Sequence, residues 1–363
     1  MVSVAFDATP LIGARTGIGT AVGGWLTELS GRRDLHLRAY GLTLAGWRSL
    51  PGQLPAGVGR VSTPLPAGIA QRVWARHDAA PAEWWAGPVQ VVHGTNFVVP
   101  PARRAARVVT VWDLTCVRYP QLCPPAALRY PGLVARAVAG GATVHVPSHA
   151  VADEVAEHFR VAPERLVVVA PGVAKIGTRP VSAPGKPPYV LALGTVEPRK
   201  DLPTLVRAFD DLAARHPDLV LKIAGPAGWG EDAVRRAIEA ATHRRRIERL
   251  GWLADPAAVM AGATVFAYPS LYEGFGFPPL EAMAAGVPVV ATAAGSVPEV
   301  VGDAAVLVPV GDADALAAGL ERALADGAER DRLVAAGAAR VGEFSWKRAG
   351  DGLAGLYHRL AGG

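Results

Sequence analysis

The sequence predicts an α/β protein built from two doubly wound parallel-sheet domains, and three observations carry that expectation. Short apolar, β-branched segments alternate with segments of helical periodicity almost throughout, the pattern of sheets covered by helices on both faces. Half of the residues are hydrophobic, which suits strands buried from both sides. At 363 residues the chain exceeds what one hydrophobic core covers, so the pattern divides between two cores.

The strand-like segments of the first domain are residues 2–6, 35–40, 91–92, 107–112, 143–146 and 166–169. Residues 175–188 then lose all periodicity and collect Pro, Gly, Ser and Thr, the composition of an interdomain linker. The alternation restarts with residues 189–193, 219–223, 265–268, 287–291 and 305–308. Between the first two of these, Leu202, Leu205, Val206, Phe209 and Leu212 keep helical spacing and predict an amphipathic helix laid on the second sheet. At the end of the chain, Trp346, Leu353, Leu356 and Tyr357 share one helical face. The expected division is 1–174 for the first domain, 189–345 for the second, and a last helix over 346–363.

The formal charge of +5 is unevenly placed. Residues 1–175 hold 17 Lys and Arg against 10 Asp and Glu, and residues 176–363 hold 20 against 22. A basic front half suits an anionic membrane surface or an acidic acceptor as well as it suits plain solubility; nucleic acid would call for denser basic clusters. No uncharged apolar run reaches the roughly 18 residues of a membrane span, and the amino terminus lacks the basic-then-apolar pattern of an export signal. Cys116 and Cys123, the only cysteines, match neither a metal site nor a disulfide framework in number or spacing. The expectation is a cytoplasmic protein in a reducing compartment, with peripheral contact at the inner face of the cell membrane left open.

The most informative stretch is 268–302, YPSLYEGFGFPPLEAMAAGVPVVATAAGSVPEVVG. The strand 265–268 ends at Pro269, Ser270 and Gly274, so Glu273 stands just past a strand's carboxyl end. Pro278 and Pro279 are tolerated only in a helix's first turn and Gly286 is placed to stop it, which puts Glu281 in that first turn. The N–H groups of Gly274, Phe275, Gly276 and Phe277 are expected to lack strand or helix partners and to face a polar or anionic ligand. A surface loop whose glutamate merely favours the helix dipole is the plain alternative. Two glutamates bracketing GFGFPP at a strand-to-helix crevice argue against it, since open α/β sheets bind ligands there.

Two further motifs stand at similar places. In GTVEPRKD, Arg199 and Lys200 follow a strand and precede a helix, where two cations can hold a diphosphate. At the start, the strand VSVAFD leads to a segment in which Gly17, Gly19 and Gly23 open a helix and let backbone approach a phosphate or sugar. GIGTAVG imitates a dinucleotide fingerprint, but the strand ends near Asp7, about ten residues too early, and no acid follows the next strand to take a ribose. The segment is read as a longer glycine loop closing over a ligand. Asp312-Ala313-Asp314 looks like a metal-binding Asp-x-Asp, but a helix follows and Asp312 reads as its N-cap.

These motifs resemble the retaining nucleotide-sugar glycosyltransferases of family 4. The carriers are the TGIGT loop, HGTNFVVPP, VVTVWDLTCVRYP, VPSHAVADEV, GTVEPRKDLPTLVRAF and the E-x7-E segment of Glu273 and Glu281, spread over nearly the whole chain. The resemblance implies the GT-B architecture, two facing Rossmann-like doubly wound domains with a cleft between them and a C-terminal helix crossing back to the first. It is nearest to bacterial mannosyltransferases of surface polysaccharide and glycolipid biosynthesis, with GDP-mannose as the preferred donor and a glycan, glycolipid or polyprenyl-linked acceptor. By position, Glu273 would hold the transferred sugar with Gly274, Phe275 and Gly276. Glu281 would accept hydrogen bonds from the ribose, Arg199 and Lys200 would neutralise the diphosphate, and the base would stack beside Gly251 and Trp252. Gly17 and Gly19 would add backbone contacts. Retention then needs no carboxylate nucleophile if the leaving phosphate takes the acceptor's proton, and no metal cofactor is expected.

The chain departs from the family's pattern at two positions. Thr195 stands where an arginine often begins the Lys200 loop, and Arg199 is expected to compensate. Trp112-Asp113 stands where the family often has His-Asp near the reacting sugar. Asp113 is then a candidate to orient acceptor or sugar, and His93, on a neighbouring strand end, a candidate base. Competing readings are a glycoside hydrolase using Glu273 and Glu281, a sugar-nucleotide epimerase, and a non-catalytic sugar-nucleotide-binding subunit.

Overall fold

The computed structural model describes residues 1–13, 16–43, 48–61, 66–174, 187–325 and 327–362. The chain divides into two compact units: Met1–Gly172 with Phe344–Gly363, and Val173–Glu343. Residues 175–186, most of the expected linker 175–188, lie outside the described residues.

The first unit is built on a seven-stranded parallel sheet of β1 (Val2–Asp7), β2 (Leu35–Tyr40), β3 (Gly59–Arg60), β4 (Val91–Gly94), β5 (Ala106–Thr110), β6 (Thr143–Val146) and β7 (Leu166–Val168). The spatial order is β3-β2-β1-β4-β5-β6-β7, so the winding reverses between β1 and β4. The helix Gly17–Ser30 is N-capped by Thr16, whose side chain accepts from Gly19 N, and it buries Trp25, Leu26 and Leu29. The last helix, Trp346–Ala361, is capped by Ser345 and turns Leu353, Leu356 and Tyr357 into the same unit. This unit thus takes its final helix from the far end of the chain.

The second unit holds a six-stranded parallel sheet: β8 (Tyr189–Leu193), β9 (Val220–Ala224), β10 (Ile247–Gly251), β11 (Val265–Tyr268), β12 (Val289–Thr292) and β13 (Ala305–Val308). Its order is β10-β9-β8-β11-β12-β13, with the reversal between β8 and β11. The helix Leu202–Arg215 lies on it through Leu202, Leu205, Val206, Phe209 and Leu212, all buried as their spacing predicts.

Two strands escaped the sequence reading. β3 is a two-residue edge strand, and β10 (IERLG) carries charges with little alternation, being half-exposed along an edge. The strand expected at 287–291 begins only at Val289: Pro288 has no N–H to give, and its carbonyl accepts from Phe266 N at 2.9 Å instead.

Candidate functional site

In the second unit, the loops leaving β8 and β11 rise on either side of the point where strand order reverses, the place where an open α/β sheet forms its ligand crevice. The β8 loop is anchored by Gly194 N to Ala224 O at 3.0 Å and Val196 N to Pro226 O at 3.0 Å. It then makes a 3-10 turn over Pro198–Lys200, and Asp201 at φ +42° starts the following helix. Arg199 O accepts from Leu271 N at 2.8 Å, which stitches this loop to the β11 loop. A cavity of about 260 Å³, open solvent included, lies between them, lined by Gly194, Lys200, Tyr268 and Ser270 among others.

The loops bring Arg199, Lys200 and Glu273 together as one ion cluster. Arg199 Nη1 lies 2.5 Å from Glu273 Oε2, and Lys200 Nζ lies 2.6 Å from Glu273 Oε1. Ser270 Oγ donates to the same Oε1 at 2.7 Å. Arg199 Nη2 reaches Glu197 Oε1 at 2.5 Å, and Lys200 Nζ meets Tyr268 Oη at 3.1 Å while sitting over the Tyr268 ring. Burial by itself would raise the Glu273 carboxyl, but Arg199, Lys200 and the Ser270 hydroxyl outweigh it and hold the group down at about 2. Lys200 moves the other way from an ordinary lysine: burial and then Arg199 lower it against the pull of Glu273. Glu273 is therefore a fixed carboxylate at neutral pH and has no proton to give.

The backbone of Glu273 is held as firmly as its side chain. Ser296 N and Oγ both donate to Glu273 O, at 2.9 and 3.1 Å. Gly295 packs so closely that a Cβ there would stand 2.3 Å from Glu273 O, so the glycine of AAGS is a steric requirement of this clamp. The loop beyond is less open than its sequence suggests. Phe275 and Phe277 are buried, their rings edge to face, and Phe275 O accepts from Ser296 Oγ at 3.2 Å. Gly276, at φ +108°, is the N-cap of the helix Phe277–Ala284.

That helix begins one residue earlier than Pro278, so Glu281 is its fifth residue and not part of its first turn. A helix-dipole role for Glu281 is corrected accordingly. Its carboxyl is partly buried and raised by that burial. Among the described residues its side chain has no hydrogen-bond or ion-pair partner, leaving its acceptors available. Thr195 is half-buried in the β8 loop. Gly251, at φ +66°, ends β10, accepts from Gly225 N at 2.7 Å, and is followed by Trp252, which is 58% exposed.

The first-unit candidates fare differently. His93 is 0% exposed at the carboxyl end of β4. Its Nδ1 lies 2.6 Å from Tyr357 Oη and its Nε2 2.8 Å from Thr110 Oγ1; Thr110 Oγ1 lies 2.9 Å from His145 Nδ1, and His145 Nε2 lies 3.0 Å from Val169 O. The terminal carbonyl fixes every proton in this chain. His145 must donate from Nε2, so its Nδ1 accepts from Thr110, Thr110 accepts from His93 Nε2–H, and Tyr357 donates to His93 Nδ1. Burial pushes both rings down, His93 well below its usual value and His145 to about 4. His93 has no lone pair left and no route to solvent, so the expectation of a general base at His93 is corrected: it is a neutral core residue.

Trp112 likewise belongs to the core, stacked on Trp25 at 5.2 Å with its Nε1–H donating to Thr95 O at 2.9 Å. Asp113 is half-buried; its Oδ1 accepts from Thr115 N at 2.8 Å, and it lines a largely apolar cavity with Phe97, Leu114, Tyr130 and Phe159. Gly17 and Gly19 lie inside the first turn of a capped helix and do not form a long loop. Gly17 is exposed there, whereas Gly19 is buried where a Cβ would meet Pro10 O at 2.6 Å, a packing reason for that glycine.

Three members of the ion cluster were not among the expected site residues: Glu197, Ser270 and Tyr268. Glu197 could have been found as the acid two residues before Arg199, and Ser270 as the hydroxyl three residues before Glu273. Asp312 does cap its helix, its Oδ1 accepting from Ala315 N at 2.9 Å. Among the described residues no three His, Cys, Asp or Glu side chains are grouped to hold a metal ion, and no helix is long and apolar enough to cross a membrane.

Residues 178–340 match the family described as glycosyl transferases group 1. O-antigen chain mannosyltransferase B of Escherichia coli is 39% identical over 165 residues, 44% of this chain and 42% of that protein. Phosphatidyl-myo-inositol mannosyltransferase of Mycolicibacterium smegmatis is 38% identical over 178 residues, 48% of this chain and 45% of that protein. The chain thus spans less than half the length of these curated relatives. Among solved structures, sucrose-phosphate synthase of Thermosynechococcus elongatus matches at a TM-score of 0.76 over 99% of each chain and 19% identity, a likeness of fold. The two parallel-sheet units are those of the GT-B class that the sequence predicts.

Proposed function

Residues 178–340 belong to the glycosyl transferases group 1 family, and on that premise we propose that the protein transfers a hexose from a nucleotide diphosphate sugar to a glycan, glycolipid or polyprenyl-linked acceptor. Mannose from GDP-mannose is the favoured donor, because relatives named as mannosyltransferases are 38 and 39% identical over the matched segments. The observation that carries the reading is the pairing of Glu273 with both Arg199 and Lys200 at the β8/β11 reversal.

This cluster stands ready for an exchange of anions. An incoming diphosphate offers Arg199 and Lys200 denser negative charge than one carboxylate does, and Glu273, released in part, turns its oxygens to the hydroxyls of the sugar. As the bond to the sugar breaks, charge accumulates on the phosphate between the two cations, whose placement stabilises the leaving group with little reorganisation. The leaving phosphate then takes the acceptor's proton on the face it leaves, which gives retention of configuration without a protein base and without a metal. Glu281, unpaired in its partly buried position, accepts from the ribose hydroxyls, and Trp252 offers a face to the base.

A raised Glu281 together with an ionised Glu273 is the combination a hydrolase would use for its acid and nucleophile. Against it, Glu273 already accepts from Arg199, Lys200 and Ser270, which leaves its oxygens poorly nucleophilic. A thermal-shift screen of GDP-, UDP- and ADP-sugars, followed by product analysis with and without a glycan acceptor, tests the whole reading. Stabilisation by a nucleotide sugar and acceptor-dependent release of nucleotide support transfer; no stabilisation by any of them removes it. Anomeric assignment of the product by NMR and a chelator control test retention and metal independence separately.

A further inference from the structure

Sequence spacing gives the two cysteines no common purpose, yet the fold brings them together. Cys116 sits in the one-turn helix Thr115–Arg118, and Cys123 follows the 3-10 turn Pro120–Leu122. Between them the chain reverses through three consecutive turn bonds: Tyr119 N to Thr115 O at 2.8 Å, Leu122 N to Tyr119 O at 2.9 Å and Cys123 N to Pro120 O at 3.2 Å. The reversal carries Cys116 Sγ to 2.9 Å from Cys123 Sγ. Both residues are half-buried, within reach of small solutes. Among the described residues no third ligand joins them, so the pair is a dithiol and not a metal site.

We propose that Cys116 and Cys123 form a modification site, a dithiol that closes to an internal disulfide by exchange with a low-molecular-weight disulfide. In the first step the Cys123 sulfur, as thiolate, attacks one sulfur of the small disulfide. The S–S bond breaks, a mixed disulfide forms on Cys123, and the departing thiolate takes up a proton. In the second step the Cys116 sulfur gives up its proton and attacks the Cys123 sulfur of the mixed disulfide, expelling the other small thiol. Two protein thiols are oxidised and one small disulfide is reduced to two thiols, so electrons and protons balance. Burial, and then Cys123, push the Cys116 thiol up to about 12, so it suits the second, intramolecular attack.

The location gives the bond a consequence. Cys116 and Asp113 line the same cavity, and Asp113 Oδ1 holds Thr115 N, the residue before Cys116. Closing the disulfide pins the segment that forms one wall of that cavity.

The test uses the full chain, reduced and then equilibrated across ratios of reduced to oxidised glutathione, acid-quenched, alkylated and weighed intact. The expected result at the oxidised end is a monomer lighter by two hydrogens, with neither cysteine alkylated, a Cys116–Cys123 cross-linked peptide, and full reversal by dithiothreitol. In Cys116→Ser, Cys123 accumulates as a glutathione mixed disulfide; in Cys123→Ser, Cys116 stays largely unmodified. Alkylation of both wild-type cysteines at every ratio, a stable glutathione adduct on the wild type, or disulfide-linked dimers in place of the internal bond would each overturn the proposal.

Discussion

Each unit of this molecule buries a polar cluster near the carboxyl edge of its sheet, and the two clusters resolve the cost of burial in opposite ways. In the second unit, Glu273, Arg199 and Lys200 keep their charges because each lies within 2.6 Å of a partner of opposite sign. In the first, His93 and His145 are stripped of charge, and every proton is committed to a chain that runs from Tyr357 through Thr110 to Val169 O. Removing a charge from water is expensive unless counter-charge replaces the solvent. A cluster that carries its own counter-charges can trade one of them for a charged ligand. A cluster of neutral, saturated groups has nothing to trade. That is the difference expected between the proposed binding site and a structural fastening, although both consist of buried titratable side chains.

The largest effect that would test this contrast is expected from Glu273→Gln. The substitution leaves Arg199 and Lys200 buried without the carboxylate and removes the proposed acceptor for the sugar's hydroxyls. Turnover should fall by about 10² to 10³, the usual cost of losing a preorganised electrostatic contact. Steady-state kinetics with the donor identified in the screen check it; near-normal turnover would place the chemistry elsewhere.

Lys200→Met and Arg199→Met should come next, lowering kcat/KM for the donor by about 10² each while leaving the other cation on Glu273. Because one cation continues to pair with Glu273, the unfolding midpoint should move less than in Glu273→Gln. A loss confined to stability, with kcat/KM intact, would make the cluster a fastening like its counterpart in the first unit.

The opposite pattern is expected at His93→Phe and Tyr357→Phe. Each breaks a link in the neutral chain and strands a polar neighbour, costing about 1 to 3 kcal/mol in denaturant unfolding. Turnover should remain within about twofold of wild type, against the 10² or more that loss of a general base produces. A hundredfold drop in a folded His93→Phe protein would restore His93 to the chemistry.

How much of this was legible beforehand follows the same division. The alternation of strand and helix patterns gave both sheets, because buried parallel strands are continuous apolar runs; only the edge strands β3 and β10, short or charged, left no such trace. Arg199, Lys200 and Glu273 were legible because loops at strand ends have few structural reasons to carry charge. Their pairing with one another was not, since contact across some 70 residues of sequence is set by strand order. His93 was misread because a histidine in a strand looks the same whether its nitrogens meet solvent, a ligand or Tyr357, and Tyr357 is 264 positions away. The closeness of the two cysteines left no trace in the sequence for a related reason, since the turns that bring them together depend on packing and not on spacing. Glu281 was displaced by a single residue of helix start, enough to move it out of the first turn.

The smallest expected effect is in the acid stability of the two clusters, and it tests the contrast most directly. His145 titrates at about 4 in the fold against 6.5 unperturbed, so between those values the unfolded chain binds the extra proton and stability falls as pH is lowered. His93 is shifted in the same direction. Asp7 works against them: burial raises it from 3.8 to about 6, so its contribution is complete below 3.8 and is lost as pH rises through 6. The His145 and Asp7 contributions are each on the order of 3 kcal/mol and nearly cancel, leaving His93 to tip the first unit toward a loss below pH 6.5. Glu273, lowered from 4.5 to about 2, leaves the second unit unaffected until the pH falls below 4.5. Hydrogen–deuterium exchange of the amides of β4, β5 and β6, the strands that carry His93, Thr110 and His145, follows the first unit during urea unfolding at a series of pH values. Asp7→Asn should steepen the loss between pH 6.5 and 4, and His145→Asn should flatten or invert it. If both variants kept the wild-type slope, burial would not be what holds these histidines neutral, and the distinction between the two clusters would fail at its physical root.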